Sequence, residues 1–479
     1  MAMATVAEAM RAILLRFSAL LATWLALAPT AHAGGPALVL GATEDAVRST
    51  TLATAKAQMD LLALAGFSAV RITQVWAPGE RTLSAQDKTV LTNVAAAAKL
   101  SNVTVLTSVL NAGSKTTPLS DGDQADFAAY AANLVQQVPA LRILIIGNEP
   151  NLNRYWLPQF NDDGTDAAAP AYESLLAKTY DAVKAAAPSV TVLGGAVSPR
   201  GGDVAGGIRP THSPTAFIQD MGTAYAGSGR TTPIMDGFAF HPYEDNSSIS
   251  PVLGTHPNTT TIALADYDKL VTLLGEAFGN FSMPIWYDEF GVESQIPAAK
   301  QSLYVNAEPA TTKPVPEATQ AAYYKQAVQL AFCQPNVRGL FLFHAIDEKD
   351  LTGWQSGLYY ADDTPKSSLP AVRLALEQSR RGVVAHCDGL QLAVHPKVVQ
   401  HVAVLTLTCA LDCSYVAQLY RLPGKLLAAK HGRAIGGQPT TLPLRVPRAQ
   451  ASYRLRLSAI APVNPGPAVT LLVPLREAR

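Results

Sequence analysis

Between Ala37 and about Gly382 one pattern recurs eight times: a short β-branched run, a cluster of turn residues, then an Ala-rich amphipathic stretch. The β-branched runs start at Ala37 (ALVLG), Ser68 (SAVRITQV), Val103 (VTVLTSVL), Arg142 (RILIIGNE), Val190 (VTVLGGAV), Met235 (MDGFAFH), Pro284 (PIWYDEF) and Val337 (VRGLFLFHA). Helices are expected over about Thr51–Leu64, Ser84–Leu100, Ser120–Val138, Tyr172–Ala187, Pro214–Ala226, Asp266–Phe278, Glu317–Phe332 and Leu369–Arg380. Ser84, with Asp87 three residues on, has the pattern of a helix-start capping box. Eight β-then-α units indicate an α/β fold, a parallel (β/α)8 TIM barrel. An open doubly wound sheet is the alternative. It usually needs fewer strands, and no GxGxxG follows the first run.

With 479 residues the chain is too long for one ordinary core, and the helical pattern stops after Gly382. Leu390–Pro396, Val399–Thr408, Tyr415–Leu422, Thr441–Val446 and Ser452–Ile460 alternate polar and apolar residues instead, which reads as a small all-β sandwich. At the other end, Arg11 and Arg16 precede an apolar run from Phe17 to Ala28, Pro29 breaks it, and Ala31-His32-Ala33 is an A-x-A cleavage signal. The expected organisation is a signal peptide at 1–33, a barrel at 34–386 and a sandwich-like C-terminal domain at 387–479. An uncleaved anchor is the alternative for the N-terminus; no later segment is long and apolar enough to span a membrane.

Export fits the cysteines. Cys333, Cys387, Cys409 and Cys413 are even in number, and Cys409 and Cys413 are close enough to pair locally, leaving Cys333 with Cys387 by elimination. Asn102, Asn246, Asn258 and Asn280 start N-x-[ST] sequons, which do not by themselves establish a glycosylating host. Acidic and basic residues balance at 37 each, so nothing argues for a nucleic-acid or anionic-membrane surface. No cofactor and no metal are expected: the early strands lack the histidines of a metal-dependent hydrolase barrel. A monomer is expected.

In a (β/α)8 barrel the reacting groups sit where the strands end. The fourth run ends in Gly147-Asn148-Glu149-Pro150-Asn151 and the seventh in Tyr287-Asp288-Glu289-Phe290-Gly291. The two glutamates are 140 residues apart, and the three units between the starts of these runs span 142. Both carboxylates are therefore expected at similar heights on opposite sides of the barrel mouth, as glycoside cleavage requires.

An Asn-Glu-Pro after strand four with a glutamate ending strand seven resembles clan A of the glycoside hydrolases, the retaining barrels that include the family-five cellulases and the family-thirty-nine enzymes. The resemblance covers roughly Gly35 to Gly382. It implies Glu149 as acid/base, Glu289 as nucleophile, and Asn148 as the residue that holds the sugar 2-hydroxyl. It also implies that Arg71, on strand two, contacts the nucleophile and keeps it ionised. His241 and Tyr243, in the His-Pro-Tyr that ends strand six, would contact a sugar hydroxyl and Glu289 respectively. Many clan members carry a tryptophan on strand eight; here that strand reads Phe343-His344-Ala345, and the nearest tryptophan is Trp354 in the following loop. Trp76, Trp156 and Trp354 are candidate platforms for sugar rings or, equally, loop-packing residues. The expected partner is a carbohydrate, cleaved with retention by an exported enzyme. A transglycosidase with the same carboxylates stays open, as do the sugar, the linkage and endo against exo action. The competing reading is a carbohydrate-binding or scaffold protein on a barrel without activity.

Overall fold

The computed structural model describes residues 34–381, 392–399, 402–409, 413–421, 425–435, 438–445, 453–460 and 469–475. The expected signal segment and Cys387, the expected partner of Cys333, lie outside the described residues.

Eight parallel strands close on themselves in sequence order: β1 (Val39–Thr43), β2 (Ala69–Trp76), β3 (Thr104–Asn111), β4 (Ile143–Ile146), β5 (Thr191–Val197), β6 (Gly237–Phe240), β7 (Ile285–Phe290) and β8 (Val337–Phe343). The seam pairs β8 back onto β1 from Val39↔Gly339 to Thr43↔Phe343. The helices between and after them are α1 (Leu52–Ala65), α2 (Ala85–Ser101), α3 (Asp121–Gln137), α4 (Ala168–Ala186), α5 (Pro214–Gly227), α6 (Tyr267–Phe278), α7 (Glu317–Phe332) and α8 (Leu369–Arg380). Their starts are set locally: Ser84 Oγ accepts the Asp87 N–H at 3.0 Å, and Ser120 Oγ does the same for Asp123.

Alternation along each strand sorts side chains between two cores. Ala69, Leu106, Ile145, Leu193, Ala239, Trp286 and Phe341 fill the barrel interior. Residues that alternate with them, such as Val70, Ile72, Leu144 and Val192, face outward into the layer shared with the helices. Phe341 leaves no room opposite it: a Cβ on Gly41 would stand 2.3 Å from its ring. Arg71 lies two residues beyond Ala69, so the same period turns a fully buried cation into the barrel, toward the mouth.

The C-terminal region is two antiparallel sheets, and it holds two more strands than its alternation suggests. One sheet has the order β13 (Pro439–Arg445), β10 (Val402–Cys409), β9 (Leu392–Val399); the other β12 (Lys425–Ala434), β11 (Cys413–Arg421), β14 (Tyr453–Ile460), β15 (Val469–Leu475). Leu405, Leu407, Leu442 and Leu444 from the first and Ala417, Leu419, Leu455 and Leu457 from the second form one core, so the sheets make a sandwich. β12 and β15, which the sequence reading misses, are the two edge strands of the second sheet. β12 is exposed or half-exposed over most of its length, so it needs no apolar face. Cys409 and Cys413 form a disulfide that joins the end of β10 to the start of β11, and thus one sheet to the other. Among the described residues no helix is long and apolar enough to cross a membrane.

Candidate active site

Beyond β4 the chain turns sharply. Gly147 has φ 84°, and Glu149, though not a glycine, has φ 43°. The turn is braced from three sides. Glu149 N–H donates to Ala196 O at 2.8 Å; Asn151 accepts the Ser198 N–H at 2.9 Å; and Asn151 Nδ2 donates to His212 O at 2.9 Å. A backbone shape that a glutamate rarely adopts is thereby fixed, and the Glu149 carboxyl is delivered into the barrel mouth.

Across the mouth, β7 breaks its own alternation. Its register with β8 shifts between Tyr287 and Phe290, so two consecutive acids, Asp288 and Glu289, are both buried on the barrel side. Asp288 is the site residue that alternation misses, since strict period two turns it away from Glu289. The only trace in the sequence is a second acid beside the first at a strand end.

Arg71 serves both acids. Its Nη1 donates to Glu289 Oε1 at 2.5 Å, its Nε pairs with Asp288 Oδ2 at 3.1 Å, and its Nη2 donates to Asn148 Oδ1 at 2.8 Å. Tyr243 Oη donates to the other Glu289 oxygen at 3.0 Å. His241 is completely buried, with Nδ1 3.0 Å from Glu149 Oε1 and Nε2 3.3 Å from Asp288 Oδ2. Burial opposes its charge, but Glu289, Asp288 and Glu149 outweigh burial and push its pKa up to about 10. It is an imidazolium that donates to two carboxylates. Both ring nitrogens are engaged with carboxylates and the ring has no exposed surface.

A cleft of about 390 Å³ opens above these groups, with Glu149, Glu289, Tyr243, Phe343 and Trp354 on its walls. The Trp354 ring lies 5.0 Å from that of Tyr243 at 34°, and 5.3 Å from that of Phe343, nearly perpendicular to it. Trp76 and Trp156 are elsewhere. Both are fully buried, Trp76 against Phe127 with its indole N–H donated to Glu80 O, and Trp156 against Tyr172. They pack loops and offer no face to a ligand.

Among the described residues only Glu149, His241 and Glu289 bring three possible metal-ligand atoms together, all within 4.8 Å of one another. The positive charge beside these carboxyls comes from the His241 ring itself, whose pKa they raise to about 10.

No family model matches the sequence, and no curated protein matches it. Solved structures do. A family 39 glycoside hydrolase from Bacteroides cellulosilyticus WH2 aligns with a TM-score of 0.52 at 15% identity, over 86% of this chain and 81% of that one. A glucosidase from Croceicoccus marinus aligns with a TM-score of 0.50 at 12% identity, over 87% of this chain and 94% of that one. At such identities the likeness is one of fold: the barrel has the fold of the clan A glycosidases.

Proposed function

We propose that the protein is an exported retaining glycoside hydrolase, with Glu149 as acid/base and Glu289 as nucleophile. The observation that carries this reading is the spacing of the two carboxyls. They come from opposite sides of the cleft and bring an oxygen of each within 4.8 Å of the other. Retaining pairs stand about 5–5.5 Å apart, whereas inverting pairs leave room for a water at about 6.5–9.5 Å.

The charges around the pair fit the chemistry. Arg71 and His241 bring two positive charges to the three carboxyls of Glu149, Asp288 and Glu289. One proton on one carboxyl makes this buried cluster neutral, and double displacement needs that proton on Glu149. Glu149 gives it to the glycosidic oxygen as the bond to the anomeric carbon breaks. Glu289, held by Arg71 and Tyr243, attacks that carbon from the opposite face. Glu149 then takes a proton from a water, or from an acceptor sugar hydroxyl, as that oxygen displaces Glu289. Asn148, anchored by Arg71, is placed for the sugar 2-hydroxyl, and Trp354 for a sugar face.

Two variants and azide test the assignment. Glu149→Ala should retain the first step on substrates with good leaving groups, and azide should return a glycosyl azide of unchanged anomeric configuration. Glu289→Gln should be inactive on every substrate, and a fluorosugar probe should label Glu289 in the wild type. Wild-type rates in both variants, or labelling elsewhere, would overturn the assignment of this pair, and a wild type that neither turns over nor labels would favour the scaffold reading.

A further inference from the structure

Strand β8 ends at Phe343, and the tryptophan that walls the cleft comes later, in the loop toward α8, so that loop has to bring the ring back to the barrel mouth. The place it returns to is tight. A Cβ on Gly291, two residues beyond Glu289, would stand 3.3 Å from Trp354 Cζ3 and 3.3 Å from the ring of Tyr243. A ring so close to the proposed nucleophile can serve as a platform only if the loop beneath it is held. On the C-terminal side of Trp354 it is. The buried Lys366 Nζ donates to Gln355 O at 2.9 Å and to Asp347 Oδ1 at 2.8 Å.

Trp354 itself is held by one residue, Glu348. The Glu348 N–H donates to Trp354 O at 3.0 Å, and Glu348 Oε2 accepts the Trp354 N–H at 3.2 Å. Backbone and side chain of a single residue thus take both main-chain polar groups of the tryptophan. Gly353 makes this possible, because a Cβ there would collide with Glu348 Oε2. The other carboxylate oxygen, Oε1, lies 3.2 Å from His344 Nε2. His344 is fixed to the barrel: its Nδ1 is 2.8 Å from Thr43 O at the end of β1, and its ring stacks on Phe343 with centroids 3.7 Å apart. Phe343 in turn stands edge-on to Trp354.

Both neighbours of the His344 ring, Thr43 O and the Glu348 carboxylate, can only accept. A neutral imidazole has one N–H and serves one of them; the imidazolium serves both. Burial opposes the charge on His344, but Glu348, and then Glu44 from the turn after β1, outweigh it and raise the pKa above 6.5. His344 in return holds the Glu348 carboxyl below its ordinary value, and Asp350 is the other charge that faces it. We infer that Glu348 is a positioning residue for Trp354 and that the protonated His344 ring keeps it in place, so that this wall of the cleft loosens when His344 gives up its proton. The inference rests on the glycosidase reading in one respect, that Trp354 meets a sugar. The hold is present at pH 6 and is lost as pH rises through the folded pKa of His344.

Fluorotryptophan labelling of the full chain tests this without a substrate, because the Trp354 resonance is identified by its absence from Trp354→Phe. In the wild type that resonance should move between pH 6 and pH 9. Glu348→Ala removes the hold, so its resonance should already lie at pH 6 where the wild type's arrives at pH 9. Its KM for an oligosaccharide at pH 6 should rise by about threefold to tenfold, from the scale of a partly exposed charged contact to that of losing the ring, with kcat changed far less. Glu348→Gln separates the proton from the packing. Its carbonyl can still accept the Trp354 N–H, and its amide can donate to a neutral His344 Nε2. That variant should keep the wild-type KM at pH 6 and hold the resonance in place up to pH 9. Glu348 is 44% exposed and Gln355 is pinned separately, so neither substitution endangers the fold. The inference is overturned if Glu348→Ala matches the wild type in resonance and KM at pH 6, or if the Glu348→Gln resonance moves with pH as the wild type's does. A chain that turned over no glycoside would defeat the proposed function, and the resonance would still decide whether Glu348 and His344 hold the ring.

Discussion

His241 Nδ1 lies 3.0 Å from Glu149 Oε1, and the ring reaches past it to Asp288, which it meets through Nε2 at 3.3 Å. The imidazolium thus links the proposed acid/base to the acid that also holds Arg71. Its charge belongs to the folded state: against an ordinary value of 6.5, its folded pKa is about 10. The stability it contributes is fully present below pH 6.5 and is lost as pH rises toward 10. Wild-type melting temperature should therefore fall over that window relative to His241→Asn, and the gap between the two proteins should be widest on the acid side. A gap that is constant from pH 6 to 10, measured by calorimetry, would show that the ring is neutral.

The three tryptophans should separate cleanly. Trp354→Ala removes a cleft wall that rests on Tyr243, so KM should rise by about tenfold, the loss of roughly 1.4 kcal/mol of binding, with little change in melting temperature. Trp76→Ala and Trp156→Ala empty fully buried positions and should cost about 3–5 kcal/mol of stability, while KM in the surviving folded protein stays near the wild-type value. Paired melting curves and Michaelis–Menten titrations distinguish the two patterns.

Glu244 is a liability in the wall of the same cleft. Its carboxyl is buried, neither oxygen receives a hydrogen bond, and Gly254 leaves room for it only by lacking a Cβ. Burial foremost, and then the charge of Asp266, raise its pKa from 4.5 to about 9. The fold must therefore keep a proton that the unfolded chain releases, at a cost that grows from pH 4.5 and levels off above pH 9. Glu244→Gln should be more stable than wild type by about 1–3 kcal/mol at pH 8 and equal to it at pH 4. Denaturant titration at the two pH values checks both the sign and the window.

The Cys409–Cys413 bridge closes a loop of only a few residues, so its chain-entropy contribution is below the roughly 3 kcal/mol of a 15-residue loop. Cys409→Ala with Cys413→Ala should lower the unfolding transition of the sandwich modestly and leave turnover unchanged. A loss of turnover would show that the sandwich supports the site.

The sequence by itself determined the eight strand–helix units, their boundaries to within a few residues, and the placing of Glu149 and Glu289 at strand ends. These are matters of local period and of turn residues, and period along the chain survives folding. It left β12 and β15 unread; β12, exposed or half-exposed over most of its length, has no apolar face to alternate. The tertiary structure alone decided the rest. It buried Trp76 and Trp156 and left Trp354 at the cleft, since three loop tryptophans look alike until the loops are packed. It slipped the β7 register at Tyr287, which brought Asp288 to the barrel side. It placed His241 between two carboxylates instead of against solvent. Each of these depends on which groups from distant strands meet in the barrel mouth, where burial and neighbouring charge set what a side chain does.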